Sequence, residues 1–401
     1  MTVKELIARS KAAQAAFAFA TQEQADAAAK AICKVVYDNA EKLGPMAAEE
    51  SRMGSEQDKI AKCRNKSALI WESLKGKKSC DIINRIEERR MIEVAKPVGV
   101  VASIIPSTNP VVTPMSNGAF ALKCRNSVIF APHPRAVKCT KLLVEMFRAE
   151  LKKLGLPEDL VLGLEEVSND LTSELMSAAD MVVATGGMGM VKAAYSSGKP
   201  AIGVGQGNVQ CIIDEDADIA DAVGKIIIGR AFDNGLICLG EQTVFVPEDK
   251  EAEFVAEMKK QGGYLVEGEE NVDKLREGLF PGGGAFSRVV VGMFADQVSD
   301  EIGLGAPKGT RVLFAKAKAL GAGDVLCREK LCPVIAYMTY KTFKEGVAMM
   351  EANLEHEGKG HSIAVHSNTP ENVEYAAIRC CVSRVVVNQP SGTTGGGSPT
   401  N

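Results

Sequence analysis

The segment VGVVASIIP at residues 98–106 is the first of four short apolar runs, and the others are SVIFAP (127–132), LVLGLE (160–165) and MVVATGG (181–187). Near-continuous valine, isoleucine and leucine is typical of parallel strands that are covered on both faces. Helical stretches of about 10–20 residues separate the runs, which predicts right-handed βαβ crossovers. Ligands of such sheets bind at the carboxyl ends of the strands, which here carry PSTNP, APHPRA and ATGGMG.

The flanking regions predict helices before this sheet and a second α/β unit after it. Residues 1 to about 75 have apolar side chains at helical spacing, and residues 80–97 suggest a hairpin around the turn EERR. From about residue 230 further strands are predicted at QTVFVPED, SRVVVGM (287–293), TRVLFAK, CPVIAYMTY, HSIAVHS and SRVVVNQP. We therefore expect one domain at 1–229 that contains the hairpin, a second at 230–387, and a last segment at 388–401.

The composition excludes several classes of function. The 401 residues have a formal charge of −4 and 5% aromatic residues, so neither nucleic acid nor an anionic membrane is an expected partner. No run of about 18 apolar residues predicts a membrane span. The eleven cysteines have no C-x-x-C or zinc spacing, so we expect no metal site, reduced thiols and a cytoplasmic location.

The segment FDNGLICLGEQ (232–242) contains the main candidate for catalysis, Cys238. It lies in a glycine-flanked stretch between a predicted helix and a predicted strand. A nucleophilic cysteine needs a turn of this kind, which presents the sulfur to a substrate. A buried structural cysteine is the alternative, and the segment by itself leaves both open.

Six segments in the same order resemble the coenzyme A-acylating branch of the aldehyde dehydrogenase superfamily. They are KPVGVVASIIPSTNPVVTP, APHPRA, VVATGGMGMVKAAYSSGKPAIGVGQGN, NGLICLGEQ, EKLCPV and GKGHSIAVHS. The resemblance implies an aldehyde dehydrogenase-like α/β fold, with a Rossmann-type cofactor domain, an α/β catalytic domain and a small oligomerisation hairpin. It also implies a homodimer or a larger homo-oligomer. Family members continue past TTGGGSPTN, so residues 388–401 are expected to begin a C-terminal segment that is truncated here.

The resemblance also assigns the reacting groups. Cys238 matches the nucleophile, and Asn109 matches the asparagine that stabilises the oxyanion together with the nucleophile's N–H. His361 matches a histidine near the nucleophile, which suits deprotonation of an incoming thiol. Gly203 stands where hydrolytic relatives have the glutamate that activates water. The expected acceptor of the acyl group is therefore coenzyme A, although another carboxylate acting as the base remains an alternative.

The remaining assignments concern the cofactor and the substrate. The resemblance places NAD or NADP against a set of turn residues and one glutamate, namely Pro132, His133, Arg135, Gly186, Gly187, Gly189, Gly205 and Glu329. Pro134 replaces the carboxylate that NAD-specific enzymes usually have at the ribose, so NAD and NADP both remain candidates. Arg135 could instead serve a phosphate of coenzyme A or be a solvated charge. The predicted substrate pocket contains Ser107, Thr108 and Leu239.

The predicted reaction is NAD(P)-dependent, reversible oxidation of a short-chain aldehyde to its acyl-CoA through a Cys238 thiohemiacetal and thioester. Acetaldehyde is the default substrate, and succinate semialdehyde and sulfoacetaldehyde remain open. The alternatives are a hydrolytic aldehyde dehydrogenase that releases a free acid and a catalytically silent scaffold that keeps the fold.

Overall fold

A computed structural model describes residues 1–394 of the chain, and their contacts divide them into two compact units. The first unit comprises Met1–Arg52 and Glu56–Gly205, and the second comprises Met53–Ser55 and the residues from Gln206 onward. Residues 395–401 of the predicted C-terminal segment lie outside the described residues. No helix within the described residues is both long and apolar enough to cross a membrane.

The first unit begins with four helices and continues with the predicted β-α alternation. Its elements are α1 (Val3–Phe17), α2 (Gln22–Asp38), α3 (Ala40–Ser51), α4 (Glu56–Leu74), β1 (Asp81–Ile86), β2 (Met91–Ala95), β3 (Val100–Ile104), α5 (Val112–Lys123), β4 (Ser127–Ala131), α6 (Val137–Lys153), β5 (Val161–Gly163), α7 (Asn169–Ala178), β6 (Met181–Thr185), α8 (Met188–Tyr195) and β7 (Ala201–Val204).

Five of these strands form one parallel sheet in the order β5-β4-β3-β6-β7. All residues of β3 and β4 are buried, as expected for a sheet that is covered on both faces. The strands β1 and β2 form a separate antiparallel hairpin whose residues are nearly all exposed. The predicted fold of the first unit is therefore confirmed, including its hairpin.

The second unit is a seven-stranded parallel sheet in the order β10-β11-β12-β9-β8-β13-β14. Its elements are β8 (Val209–Ile213), α9 (Ile219–Ala231), β9 (Glu241–Pro247), α10 (Glu251–Lys260), β10 (Gly263–Leu265), α11 (Glu269–Leu279), α12 (Ala295–Ile302), β11 (Val312–Lys316), β12 (Val334–Tyr340), α13 (Phe343–His356), β13 (Ser362–His366), α14 (Pro370–Arg379) and β14 (Arg384–Val387).

Two features of the second unit differ from the sequence-based expectation. The division between the units falls at Gly205/Gln206 instead of at residue 229, because β8 pairs with β9 and β13 of the second sheet. The strand predicted at 287–293 is absent from the described structure. There the chain turns at Gly292, whose φ is 69°, and the Gly292 N–H donates to the Leu331 carbonyl at 2.8 Å. Three consecutive valines fit a strand, but tertiary contacts determine the conformation of this segment.

Candidate active site

The amino ends of four neighbouring strands in the second unit carry most of the residues predicted to be catalytic. Gln206–Asn208 precedes β8, Cys238 precedes β9, Glu329 precedes β12, and His361 directly precedes β13. These strands are adjacent and parallel in the order β12-β9-β8-β13. Because parallel strands bring their amino ends to one edge, the topology places all four segments along the same edge of the sheet.

A backbone turn with three consecutive left-handed residues leads into the segment that contains Cys238. Asp233 (φ 50°), Asn234 (φ 52°) and Gly235 (φ 72°) follow the end of α9. This conformation costs roughly 1–2 kcal/mol for each residue that has a Cβ, so surrounding contacts must hold it. The Asp233 carboxylate accepts the Ser55 N–H at 3.1 Å, and the Asn234 amide donates to the Gly292 carbonyl at 2.9 Å. Ser55 and Gly292, which are distant in sequence but belong to the same unit, thus hold the turn through its Asp233 and Asn234 side chains.

Cys238 is placed at the tip of the next turn. The Gly240 N–H donates to the Ile237 carbonyl at 2.9 Å, which closes a turn around Cys238 and its neighbour. The Cys238 side chain is partly exposed, whereas eight other cysteines are buried. Burial raises the pKa of Cys332 and of Cys380 to about 12, so these thiols stay protonated. Exposure and position therefore distinguish Cys238 from the buried cysteines.

Gly207 packs directly against the backbone of Cys238. A Cβ at Gly207 would lie 2.0 Å from the Cys238 carbonyl oxygen and 2.9 Å from Cys238 Cβ. The Gly207 N–H donates to Glu329 Oε1 at 2.9 Å. Burial raises the pKa of Glu329 to about 7, and the Gly207 hydrogen bond opposes that rise. Glu329, predicted to hold a ribose, therefore also fixes the loop that supports Cys238.

His361 is held in a form that suits a proton acceptor. Its side chain is about half-buried, and its carbonyl accepts the Ser383 hydroxyl at 2.7 Å. Burial, and then the charge of Arg384, lower the pKa of His361 below its ordinary value of 6.5. Its Nδ1 is buried and has no hydrogen-bond partner within residues 1–394. A histidine in this state is neutral at pH 7 and can take up a proton.

In the first unit, the predicted loops lie together at the carboxyl edge of the sheet. PSTNP follows β3, APHPRA follows β4, and the glycine-rich turn follows β6, which are neighbours in the sheet. Asn109 accepts a hydrogen bond on Oδ1 from Lys62 Nζ at 2.8 Å, and its backbone carbonyl accepts the Thr113 N–H at 3.2 Å. Because Oδ1 accepts the Lys62 hydrogen bond, this contact fixes the orientation of the Asn109 amide and leaves its Nδ2 group as the donor.

The glycine-rich turn has an open backbone surface at the start of α8. A Cβ at Gly187 or Gly189 would meet no atom within 4 Å. On the neighbouring strand, Pro132 is buried, His133 is half-buried and Arg135 is exposed. The Arg135 N–H donates to His133 Nδ1 at 3.1 Å. An accessible turn at a helix N-terminus is a favourable place for a phosphate group.

Gly203, on β7, has no room for a side chain. A Cβ there would lie 2.8 Å from Val191 Cγ1 and 3.0 Å from Tyr195 Cε2. The Gly203 N–H also donates to the Tyr195 hydroxyl at 3.2 Å. The surroundings of Gly203 in this unit therefore exclude a larger residue unless Val191 and Tyr195 move.

Comparison with known proteins identifies the family. The model of the aldehyde dehydrogenase family matches residues 1–274. A succinate-semialdehyde dehydrogenase (acetylating) of Clostridium kluyveri is 47% identical over 396 residues, which cover 99% of this chain and 87% of that protein. The chain belongs to the aldehyde dehydrogenase family. A sulfoacetaldehyde dehydrogenase (acylating) of Bilophila wadsworthia is 39% identical over 406 residues, which cover 100% of this chain and 87% of that protein.

Solved structures agree with this assignment. An acetylating aldehyde dehydrogenase of Geobacillus thermoglucosidasius superimposes with a TM-score of 0.94 at 35% identity, over 98% of this chain and 88% of that one. A propionaldehyde dehydrogenase of Rhodopseudomonas palustris with bound propionyl-CoA gives a TM-score of 0.87 at 28% identity, over 99% and 88% of the two chains. The resemblance to acylating aldehyde dehydrogenases is therefore confirmed, and the protein is an oxidoreductase that acts on aldehydes.

Several residues of this aldehyde dehydrogenase were not found from its sequence. Gly207, Asp233 and Asn234 support the Cys238 segment, and Lys62 binds Asn109. The three left-handed residues gave no signal beyond a common Asp-Asn-Gly turn. Lys62 did carry a signal, since it is one of three lysines at helical spacing, but such charges are usually on the solvated face of a helix.

The other predicted residues have definite positions in this aldehyde dehydrogenase. Ser107 and Thr108 are half-buried beside Asn109, while the Leu239 side chain is buried and its carbonyl accepts the Ser391 hydroxyl at 2.5 Å. Gly205 is the last residue of the first unit. A Cβ on Gly205 would meet only the Met188 Sδ closely, at 2.9 Å.

Proposed function

We propose that this aldehyde dehydrogenase converts a short aldehyde into an acyl-CoA, with NAD(P) as the hydride acceptor. The observation that carries the proposal is the environment of Gly203. Hydrolytic relatives place a water-activating glutamate at the matching position, and here Val191 and Tyr195 fill that space. Without this base the acyl-enzyme persists until a thiol attacks it.

The proposed reaction begins when the Cys238 thiolate attacks the aldehyde carbon and forms a thiohemiacetal. Negative charge develops on the former carbonyl oxygen, where the Asn109 amide and the Cys238 N–H are the proposed donors. Each such donor contributes about 3–4 kcal/mol to transition-state stabilisation. Loss of hydride leaves a thioester on Cys238. His361 then takes the proton of the incoming coenzyme A thiol, and attack of the thiolate releases the acyl-CoA and restores Cys238.

The first unit has residues that fit a nicotinamide dinucleotide. NAD(P)⁺, when bound, supplies the hydride acceptor for this oxidation. The open backbone at Gly187 and Gly189 suits its pyrophosphate. We assign Gly186 to the same site, although a Cβ there would contact Met190 at 3.6 Å. We assign the adenosine end to the Pro132–Arg135 turn and Gly205. We assign the nicotinamide ribose to Glu329. The choice between NAD and NADP depends on the turn after β4, which has Pro134 and Arg135 in place of an acidic residue.

The exposed hairpin supports a proposal about assembly. Met91, Ile92 and Val94 on β2 are 50–51% exposed. An isolated two-stranded hairpin is only marginally stable, so packing of this apolar face against another surface would stabilise it. We propose that the hairpin pairs copies of this chain into a homodimer or a larger homo-oligomer. The cytoplasmic location expected from the cysteines stays a prediction.

The test follows the absorbance of reduced nicotinamide with acetaldehyde, succinate semialdehyde or sulfoacetaldehyde. Each aldehyde is offered with NAD or NADP, with and without coenzyme A. The proposal expects one stoichiometric burst without coenzyme A and sustained turnover with it, and neither signal in Cys238→Ala. Sustained turnover without coenzyme A would identify a hydrolytic enzyme and overturn the interpretation of Gly203.

A further inference from the structure

The turn around Cys238 contains a peptide group with a proposed role in the reaction. The Ile237 carbonyl and the Cys238 N–H belong to one peptide unit, which is planar, so the direction of the carbonyl fixes the direction of the N–H. The Ile237 carbonyl accepts the Gly240 N–H at 2.9 Å. The Cys238 N–H is the proposed backbone donor to the negative oxygen of the thiohemiacetal. The Gly240 N–H therefore determines where this donor points.

The Gly240 N–H is oriented in the same way by a serine from the end of the described chain. The Gly240 N–H and the Leu239 carbonyl form one planar peptide unit. That carbonyl accepts the Ser391 hydroxyl at 2.5 Å. A chain of hydrogen bonds thus runs from the Ser391 hydroxyl through two peptide units. It ends at the Cys238 N–H.

Ser391 is held in turn by the buried carboxyl group of Glu241, the first residue of β9. The Ser391 N–H donates to Glu241 Oε1 at 2.9 Å, and both residues are fully buried. The carboxyl group packs against the last turn of α9, where a Cβ at Gly229 would lie 2.2 Å from Glu241 Oε2. Burial raises the pKa of Glu241 to about 7, and hydrogen bonding to Ser391 opposes that rise. A neutral amide is therefore a close substitute for this carboxyl group.

We propose that Ser391 is a positioning residue for the oxyanion of the reaction, and that Glu241 fixes Ser391 for this role. The inference rests on the proposed function. Hydrogen bonds in a chain polarise one another, so the Ser391 hydroxyl both orients the Cys238 N–H and strengthens it as a donor. Removal of this hydroxyl should weaken stabilisation of the oxyanion and leave the thiol in place.

The test compares two reactions of the same thiol in Ser391→Ala. The burst of reduced nicotinamide at saturating aldehyde should slow by about 10- to 100-fold, somewhat less than the loss of a whole oxyanion donor. Alkylation of Cys238 by iodoacetamide, followed by mass spectrometry of its peptide, should change by less than about threefold, because displacement of iodide places no negative charge on a carbonyl oxygen. The matched control is Ser367→Ala, which should keep both rates. Its hydroxyl is also buried and donates to Asp214 Oδ2 at 2.6 Å, at the opposite edge of the same sheet.

Variants of Glu241 test the second half of the proposal. Glu241→Gln should keep the burst within about threefold of wild type, since the amide oxygen can still accept the Ser391 N–H. Glu241→Ala should slow the burst, and the double variant with Ser391→Ala should be no slower than Ser391→Ala alone, because both changes act on one chain of contacts. A Glu241→Gln enzyme as slow as Glu241→Ala would refute the role of Glu241.

The outcomes of the serine test separate this inference from the proposed function. An unchanged burst in Ser391→Ala, or an equal loss in burst and alkylation, would overturn the role of Ser391 in orienting the oxyanion donor. Absence of a burst in wild type with every aldehyde would instead overturn the proposed function.

Discussion

Replacement of Gly207 by alanine tests whether this loop positions Cys238, the proposed nucleophile. The new Cβ would lie 2.0 Å from the Cys238 carbonyl oxygen, and real Cβ atoms essentially never come closer than 3.0 Å to such an atom. The Gly207 and Cys238 backbones must therefore separate by about 1 Å. The contact cannot be relieved by a side-chain rotation, because the atoms that the new Cβ meets are the Cys238 carbonyl and Cβ. Gly207 does not have a left-handed φ, so alanine adds a contact without adding backbone strain.

A displacement of this size has a large effect on a reaction that depends on geometry. Misplacement by 1 Å costs about 100-fold in rate, and overpacking costs about 1–3 kcal/mol of stability. We expect Gly207→Ala to slow the burst of reduced nicotinamide by about two orders of magnitude and to slow alkylation of Cys238 by iodoacetamide. The thermal melt should still be cooperative.

The matched control is Gly118→Ala, in α5. Its new Cβ would lie 3.4 Å from Phe130 Cζ, which is an ordinary contact. The control should keep the burst rate of wild type. A Gly207→Ala enzyme within threefold of wild type in both burst and alkylation would refute the conclusion that Gly207 holds Cys238 in place.

Three further predictions address the acceptor, the base and the assembly. Gly203→Glu should fail to produce turnover without coenzyme A, because its Cβ would overlap Val191 and Tyr195; sustained formation of free acid by this variant would contradict the steric argument. Because the pKa of His361 lies below 6.5, acyl transfer to coenzyme A should decline only below that pH. His361→Asn should slow the transfer by about 10²- to 10⁴-fold and abolish this acidic limb, and an unchanged limb would exclude His361 as the base. Replacing Ile92 and Val94 by glutamate should lower the mass measured by light scattering, and an unchanged mass would exclude the hairpin as the interface.

The parallel sheets were predictable because their signal is local. The strands β3, β4 and β6 are short apolar runs between helical stretches, and a strand that is buried on both faces requires this composition. The strand β8, in VQCII, was missed although it is an interior strand of the second sheet, between β9 and β13. It follows the glycine-rich loop directly, and no helical stretch separates it from β7. The predicted boundary between the two units was therefore placed too late in the chain.

The candidate site was predictable as a set of residues but not as an arrangement. The sequence predicts Cys238, Asn109 and His361 as site residues and shows no carboxylate at Gly203, because motif order and residue type define these positions. The position of Cys238 along the amino edge with His361 and Glu329 depends on the strand order β12-β9-β8-β13, which pairs segments far apart in the chain.

The sequence by itself determined the fold class, and it predicts the reacting thiol and a glycine in place of the water-activating glutamate, since each is a property of residue type and local pattern. The tertiary structure decided what supports these groups. Gly207 touches Cys238 and binds Glu329, which is 122 residues away, and Lys62 binds Asn109 across 47 residues. Contacts of this kind arise when helices and strands pack, and a single sequence does not distinguish a buried lysine on a helix from the more usual exposed one.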